Sequence, residues 1–292
     1  MTAALGLGTV QFGLPYGVSN NNGKPDEDEV RRVLVAASAV GVQVLDTAPS
    51  YGDSEAVLGR ALPAQHRFRI ITKTAAGTAA NAEAVGAAVR RSVSESLQRL
   101  RCERIDGLLV HHASELLGPH GPFLLAALRE EKALGRVRAI GVSVYDGEQI
   151  DRLMDVFRPD IVQIPLNVLD QRLLRSGHLS ALSAAGIEVH ARSVFLQGLL
   201  LMDPAEVPAN LSGARPYLNE FRASAKAEGI SLLAAALGFV ASLPQVSVVL
   251  AGVTSLAELQ QLSVAWRRRK AVSSMLGEPP HQILDPRAWP RA

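Results

Sequence analysis

Apolar runs of strand length recur eight times along the chain, at 5–9, 43–47, 69–73, 106–111, 139–143, 161–166, 188–194 and 246–252. Most are continuous rather than alternating, the pattern of strands buried on both faces of a parallel sheet. Amphipathic segments of helical period lie between them. Residues 26–40 follow Pro25, open on an acidic first turn and end at Gly41. In 82–100 the apolar positions Val85, Val89, Val93, Leu97 and Leu100 recur every three or four residues. Further helices are predicted over 122–134, 147–157, 176–185, 217–228, 231–242 and 255–266. Gly41, Gly135, Gly186 and Gly229 each stand where a helix would end in a left-handed residue.

Eight strands alternating with helices, and no linker rich in Pro, Gly or Ser, predict one (β/α)8 barrel over residues 1–292. Two doubly wound domains would need a boundary, and the sequence offers none. The longest irregular stretch, 202–216, follows the seventh strand. It falls on the face where barrel loops build active sites. Chemistry is therefore expected at the C-terminal ends of the strands.

Composition narrows the class. The 292 residues are 48% hydrophobic and 20% charged, which excludes a disordered chain. Thirty Lys+Arg against 28 Asp+Glu leave a net charge of +2, too little basic excess for a protein built to bind nucleic acid. The single cysteine, Cys102, cannot form an internal disulfide, so a reducing, cytoplasmic setting is expected. Residues 1–8 have no basic segment leading into an apolar run, and no signal peptide is expected. No membrane span is expected either, because the apolar run 231–241 suits a buried helix. The basic cluster at 267–270 reads as a solvated last helical turn.

Polar residues gather at the strand ends. Strand two runs into Asp46-Thr47-Ala48-Pro49-Ser50-Tyr51-Gly52, strand three ends in Lys73, and strand four in His111-His112. Each has a bland reading: loop cap, rim aromatic, snorkelling lysine, satisfied core histidine. Together, at one end of neighbouring strands, they converge on one spot. His112 is the weaker histidine, since one step along a strand reverses side-chain direction. No metal is implied, because the His pair lacks further spaced ligands.

This pattern resembles the aldo-keto reductase superfamily. The similarity rests on Asp46-Thr47-Ala48 with Tyr51-Gly52, Ile71-Thr72-Lys73 and Leu109-Val110-His111. It extends to Leu7-Gly8-Thr9-Val10-Gln11-Phe12-Gly13, Gly141-Val142-Ser143, Val162-Gln163 and Gln197-Gly198-Leu199-Leu200, covering nearly the whole chain. The resemblance implies reduction of a small-molecule carbonyl with NADP(H) or NAD(H). Tyr51 would then be the general acid, Lys73 would lower its pKa, and Asp46 would fix Lys73. His111 would orient the carbonyl oxygen. An unperturbed phenol is a poor acid at neutral pH, and a neighbouring ammonium favours its ionised form.

The implied cofactor residues depart from the family pattern in places. Ser143 and Gln163 match the residues that hold the nicotinamide carboxamide, but Val144 replaces the usual Asn. Asn167 either assists or shapes the following loop. Where relatives stack a tyrosine on the nicotinamide, this chain has Arg192, which could stack or bind the pyrophosphate. Ser193, Gln197 and Gly198 belong to the same implied wall. After strand eight, Gly252, Thr254, Ser255 and Glu258 lead into a helix N-terminus, a phosphate cradle by resemblance and an ordinary Ser255 cap when read alone. NADP-preferring relatives usually carry basic residues here, whereas Gly252 and Glu258 stand in this chain. A 2′-phosphate would meet a like charge at Glu258, so NADH is expected to be well tolerated.

Two other readings remain open on the residues alone. Lys73 could be the Schiff-base nucleophile of a barrel aldolase or lyase. Alternatively, the barrel could bind nucleotide without catalysis. Pocket walls are expected from 14–24, 112–121, 202–216 and 277–292. Tyr16 with Asn20, Asn21 and Asn22 suits either a hydroxylated substrate such as a sugar or a solvated turn.

Overall fold

The computed structural model describes residues 3–63, 65–75, 81–272 and 277–289. Residues 290–292 of the expected pocket-wall tail, and residues 1 and 2, lie outside the described residues. All eight apolar runs form strands: β1 Ala4–Gly8, β2 Val44–Asp46, β3 Arg69–Lys73, β4 Gly107–Val110, β5 Ile140–Ser143, β6 Ile161–Pro165, β7 Glu188–Arg192 and β8 Val248–Gly252. They pair in parallel and in chain order, and β8 pairs with β1 to close the barrel. The predicted (β/α)8 fold is the observed one.

Each predicted helix is present, with ends within a few residues of those expected, from Glu27–Ala39 to Leu256–Arg267. Asp26 caps the first by accepting from Glu29 N at 2.7 Å. Gly41, Gly135, Gly186 and Gly229 have φ of 67–85° and terminate their helices as predicted. Short helices of four or five residues escape the periodicity, and among the described helices of eight residues or more so does one, Ser54–Ala61 between β2 and β3. It is only eight residues long and contains Gly59, a residue that weakens a helical pattern. A Cβ at Gly59 would lie 2.0 Å from Arg99 O, so the glycine lets the helix Ala82–Leu100 approach closely. The stretch 202–216 is less irregular than expected. It contains a 3-10 turn, Ala209–Ala214, whose Leu211 packs with Leu199, Leu218 and Phe221.

Helix Leu232–Ala241 is buried along most of its length, as its composition predicts. Among the described residues no single helix is long and apolar enough to cross a membrane. The 267–270 cluster ends its helix, with Arg269 stacked on Trp266 at 4.1 Å and Lys270 paired with Glu228 at 2.9 Å.

The period-2 alternation of strands sorts the barrel interior into layers. Val44, Ile71, Leu109, Ile161, Val248 and Leu250 fill the middle. A Cβ at Gly107 would come within 2.7 Å of Ile71, so glycine there leaves room for the bulky layer. One period below, Arg69 grips Glu188 through two hydrogen bonds of 2.7 and 3.0 Å, and His190 Nε2 lies 2.9 Å from the same carboxylate. One period above the middle layer stand Asp46, Lys73, His111, Gln163 and Gly252. The fold therefore stacks an ion pair, an apolar plug and a polar mouth.

Candidate active site

The mouth is built on a buried ion pair. Lys73 Nζ donates to Asp46 Oδ1 at 2.7 Å and to the Thr47 carbonyl at 3.0 Å, and Lys73 is 1% exposed. Gln163 Nε2 donates to Asp46 Oδ2 at 2.7 Å, so both carboxylate oxygens are engaged. The Lys73 ammonium lies 4.9 Å from the centroid of the Tyr51 ring. The His111 ring meets Tyr51 edge-on at 5.9 Å. Four side chains from three strand ends thus converge within one cluster. His112 is exposed and stacks on His111 at 4.8 Å, outside the ring of groups facing Lys73.

Electrostatics assigns each group a charge state. Burial alone would depress Lys73, but Asp46 and Tyr51 opposite it outweigh burial and raise its pKa. Lys73 therefore stays an ammonium. Burial lowers His111, and the charges of Lys73, His112 and Arg192 lower it further, to about 3. A neutral imidazole results at pH 7. Tyr51 corrects the sequence expectation. Lys73 does pull its pKa down, yet burial of the phenol is the larger effect and the net shift is upward. The hydroxyl is consequently protonated across the neutral range, with a cation in place to stabilise the phenolate once the proton leaves.

From this cluster a cleft of about 510 Å³ runs to the N-terminus of helix Leu256–Arg267. Ser143, Gln163, Arg192 and Ser193 line its catalytic end, Gln197 and Gly198 its flank, and Gly252, Thr254 and Glu258 its far end. Among the described residues, Gln11 Oε1, Gln163 Oε1 and Thr254 Oγ1 are buried on its wall without a hydrogen-bond partner. Buried polar atoms are normally satisfied, so these three oxygens suit a ligand carrying amide and hydroxyl donors. A nicotinamide dinucleotide fits that requirement. A Cβ at Gly252 would lie 2.4 Å from the end of the Gln11 side chain, so a larger residue there would shift the Gln11 amide from its present place. No group of three or more potential metal ligands occurs among the described residues.

Several side chains do something the sequence did not disclose. Arg192 Nη2 donates to the Val144 carbonyl at 3.1 Å, and its guanidinium stacks on Tyr145 at 4.3 Å. Arg287, from the C-terminal segment, stacks on Tyr145 at 3.4 Å. Tyr145 lies two residues beyond Ser143, and its aromatic ring was the available signal. Asn167 shapes its loop, accepting from Leu169 and Asp170 N at 2.9 Å each and donating to Ser193 O. Asn20 ties a turn through Tyr16 O, Gly23 O and the N–H groups of Asn22 and Gly23. Val18 N donates to Gln197 O at 3.0 Å, which docks that turn on the loop after β7. Ser255 caps the helix Leu256–Arg267 by accepting from Glu258 N at 3.2 Å, and Glu258 Oε2 accepts from Thr254 N at 2.6 Å.

A parallel barrel with this buried Lys-Asp pair beneath a tyrosine defines a class, and sequence comparison agrees with it. The chain belongs to the aldo/keto reductase family, whose pattern it matches over residues 4–275. It is 30% identical over 219 residues to the NADH-specific methylglyoxal reductase of Escherichia coli strain K12, covering 67% of this chain and 64% of that one. The chain thus spans just under two thirds of that relative's length. Among solved structures it superposes on the glycerol dehydrogenase of Gluconobacter oxydans with a TM-score of 0.71 and 25% identity, covering 93% of this chain and 88% of that one. An aldo-keto reductase of Bacillus halodurans in its holo form gives a TM-score of 0.77 at 20% identity, with 97% and 96% covered; that likeness speaks for the fold.

Proposed function

We propose that the protein reduces a small aldehyde, ketone or keto-sugar to the alcohol with NADH or NADPH. The observation that carries this reading is the buried Lys73–Asp46 pair facing Tyr51 at the closed end of the cleft. When bound, the reduced nicotinamide supplies the hydride to the carbonyl carbon. Ser143 and the free Oε1 of Gln163 would hold its carboxamide, and Arg192 and Ser193 would line the ring. Gln197, Gly198, Gly252, Thr254, Ser255 and Glu258 would follow the rest of the dinucleotide.

The chain's own residues supply the proton. His111, neutral, hydrogen-bonds the carbonyl oxygen and orients it. Tyr51 transfers its phenolic proton to that oxygen as negative charge builds there. The resulting phenolate faces the Lys73 ammonium, and Asp46 keeps that ammonium in place. Burial excludes water and strengthens each of these interactions.

A Schiff-base role for Lys73 fits less well, because an ion-paired, protonated ammonium is a poor nucleophile. The half-buried Cys102, without a disulfide partner, supports a cytosolic setting. The test is oxidation of NADH and NADPH, followed by absorbance, with aldehydes, ketones and keto-sugars. Methylglyoxal joins that panel because of the Escherichia coli relative's name. Turnover with none of them, or borohydride trapping of substrate on Lys73, would overturn the assignment.

A further inference from the structure

A helix N-terminus presents N–H groups without intrahelical partners and so attracts anions. The N-terminus of helix Leu256–Arg267 forms the far wall of the cleft, where Thr254, Glu258 and Gln261 line it. Three N–H groups of this turn, those of Thr254, Leu256 and Glu258, are already engaged by the protein's own oxygens. Leu256 N donates to Glu29 Oε1 at 2.6 Å, from a residue 227 positions earlier in the chain. Thr254 N donates to Glu258 at 2.6 Å and Glu258 N to Ser255 at 3.2 Å. Glu29 comes from the helix Glu27–Ala39, and its other oxygen is held by Arg32 Nε at 2.9 Å and Nη2 at 2.5 Å. The Glu29 side chain is 20% exposed. The Leu256 N–H and Arg32 hold its carboxyl below the usual range, so the charge is permanent near neutral pH.

We infer that Glu29 determines cofactor choice: its carboxylate occupies the anion position of this helix terminus, so the cleft takes NAD(H) and excludes the 2′-phosphate of NADP(H). The inference rests on the reductase reading and deepens it. A 2′-phosphate arriving here meets the Glu258 carboxylate on the cleft wall, with Glu29 bound to the adjoining Leu256 N–H, and finds the Leu256 and Thr254 donors already committed. Arg32, the cation paired with Glu29, is neutralised by it. A ribose 2′-hydroxyl carries no charge and can donate to a carboxylate, so NAD(H) meets neither obstacle.

Glu29→Gln isolates the effect. The amide oxygen can still accept from Leu256 N, while one negative charge disappears and Arg32 is released as a cation. Equilibrium titration of NAD+ and NADP+ by calorimetry requires no turnover. The wild type is expected to bind NAD+ at least tenfold more tightly than NADP+, and Glu29→Gln to narrow that ratio at least tenfold. NADP+ binding the wild type as tightly as NAD+ would overturn the inference without any variant, as would a ratio unmoved in Glu29→Gln. Failure of both nucleotides to bind would remove the inference together with the reductase reading, a result distinct from equal binding.

Discussion

Gln163 donates from Nε2 to Asp46 Oδ2 at 2.7 Å, while its own Oε1 is buried and unpaired at the cleft wall. One side chain thus touches the carboxylate that anchors Lys73 and leaves a free acceptor on the cleft wall. On the proposed reading, the proton-donating network and the cofactor wall would share this amide.

Replacing Gln163 should therefore disturb both. In Gln163→Leu, Asp46 loses one buried hydrogen bond and the cleft loses an acceptor. Each is worth roughly 1–3 kcal/mol where the partner is buried or charged. We expect kcat to fall and the Kd for NADH to rise, each about tenfold or more. A change in Kd alone, measured by fluorescence titration beside steady-state kinetics, would show that the Asp46 contact is dispensable.

Tyr51→Phe should remove turnover and spare cofactor binding. General acid catalysis contributes typically 10²–10⁴-fold, and a loss of about that size is expected. The pH profile gives a second check. The acid must be protonated, so the rate is lost as pH rises through the Tyr51 pKa, which burial places above its ordinary 10.0. His111, lowered to about 3, contributes no inflection near neutrality. Reduction should be flat from roughly pH 5 to 9, and an inflection near 6.5 in kcat/KM would assign the proton to a histidine instead.

The barrel floor predicts a pH dependence of stability. Burial works to raise the Glu188 carboxyl, but hydrogen bonds from His190 and Arg69 prevail and hold it at about 2, against 4.5 in the unfolded chain. A depressed carboxylate stabilises the fold above its unfolded pKa, and that contribution is lost as pH falls from 4.5 towards 2. Thermal melts of the wild type should drop across that window. Glu188→Gln should have a lower Tm at pH 7 and a flatter profile below 4.5, and an unchanged acid limb would place the dependence elsewhere.

The strand periodicity made the barrel legible, and with it the mouth: Asp46, Lys73 and His111 follow from continuous apolar runs that end in charge. Helix Ser54–Ala61 was not legible, because Gly59 serves a contact with Arg99 that lies outside its own segment. The same holds for Glu29 on Leu256 and for Arg69 on Glu188, 119 positions apart. Pattern within a segment reports burial, whereas pairing between segments depends on how closed barrel neighbours meet. The upward shift of Tyr51 was hidden for a related reason. The residue list names the cation beside it but not how dry the pocket is.

Lys73 offers the sharpest separation of structural from chemical roles. Lys73→Met removes the partner of a carboxylate only 4% exposed, and breaking one half of a buried pair destabilises by about 3–5 kcal/mol. Much of the lost activity in that variant could then reflect unfolding. The double variant Asp46→Asn with Lys73→Met removes both charges and should recover most of the melting temperature, since an uncharged pair no longer leaves an ion stranded. Activity should not return with it. Without the ammonium, only the smaller influence of Arg192 opposes the burial that already raises Tyr51, so the phenolate formed on proton transfer is poorly stabilised. We expect the double variant to fold, to bind NADH, and to turn over at least a hundredfold more slowly. Any residual rate should extend to higher pH than in the wild type, because the tyrosine holds its proton longer. Substantial activity in the folded double variant would show that Lys73 is needed only for stability, and would move the tuning of Tyr51 to another group.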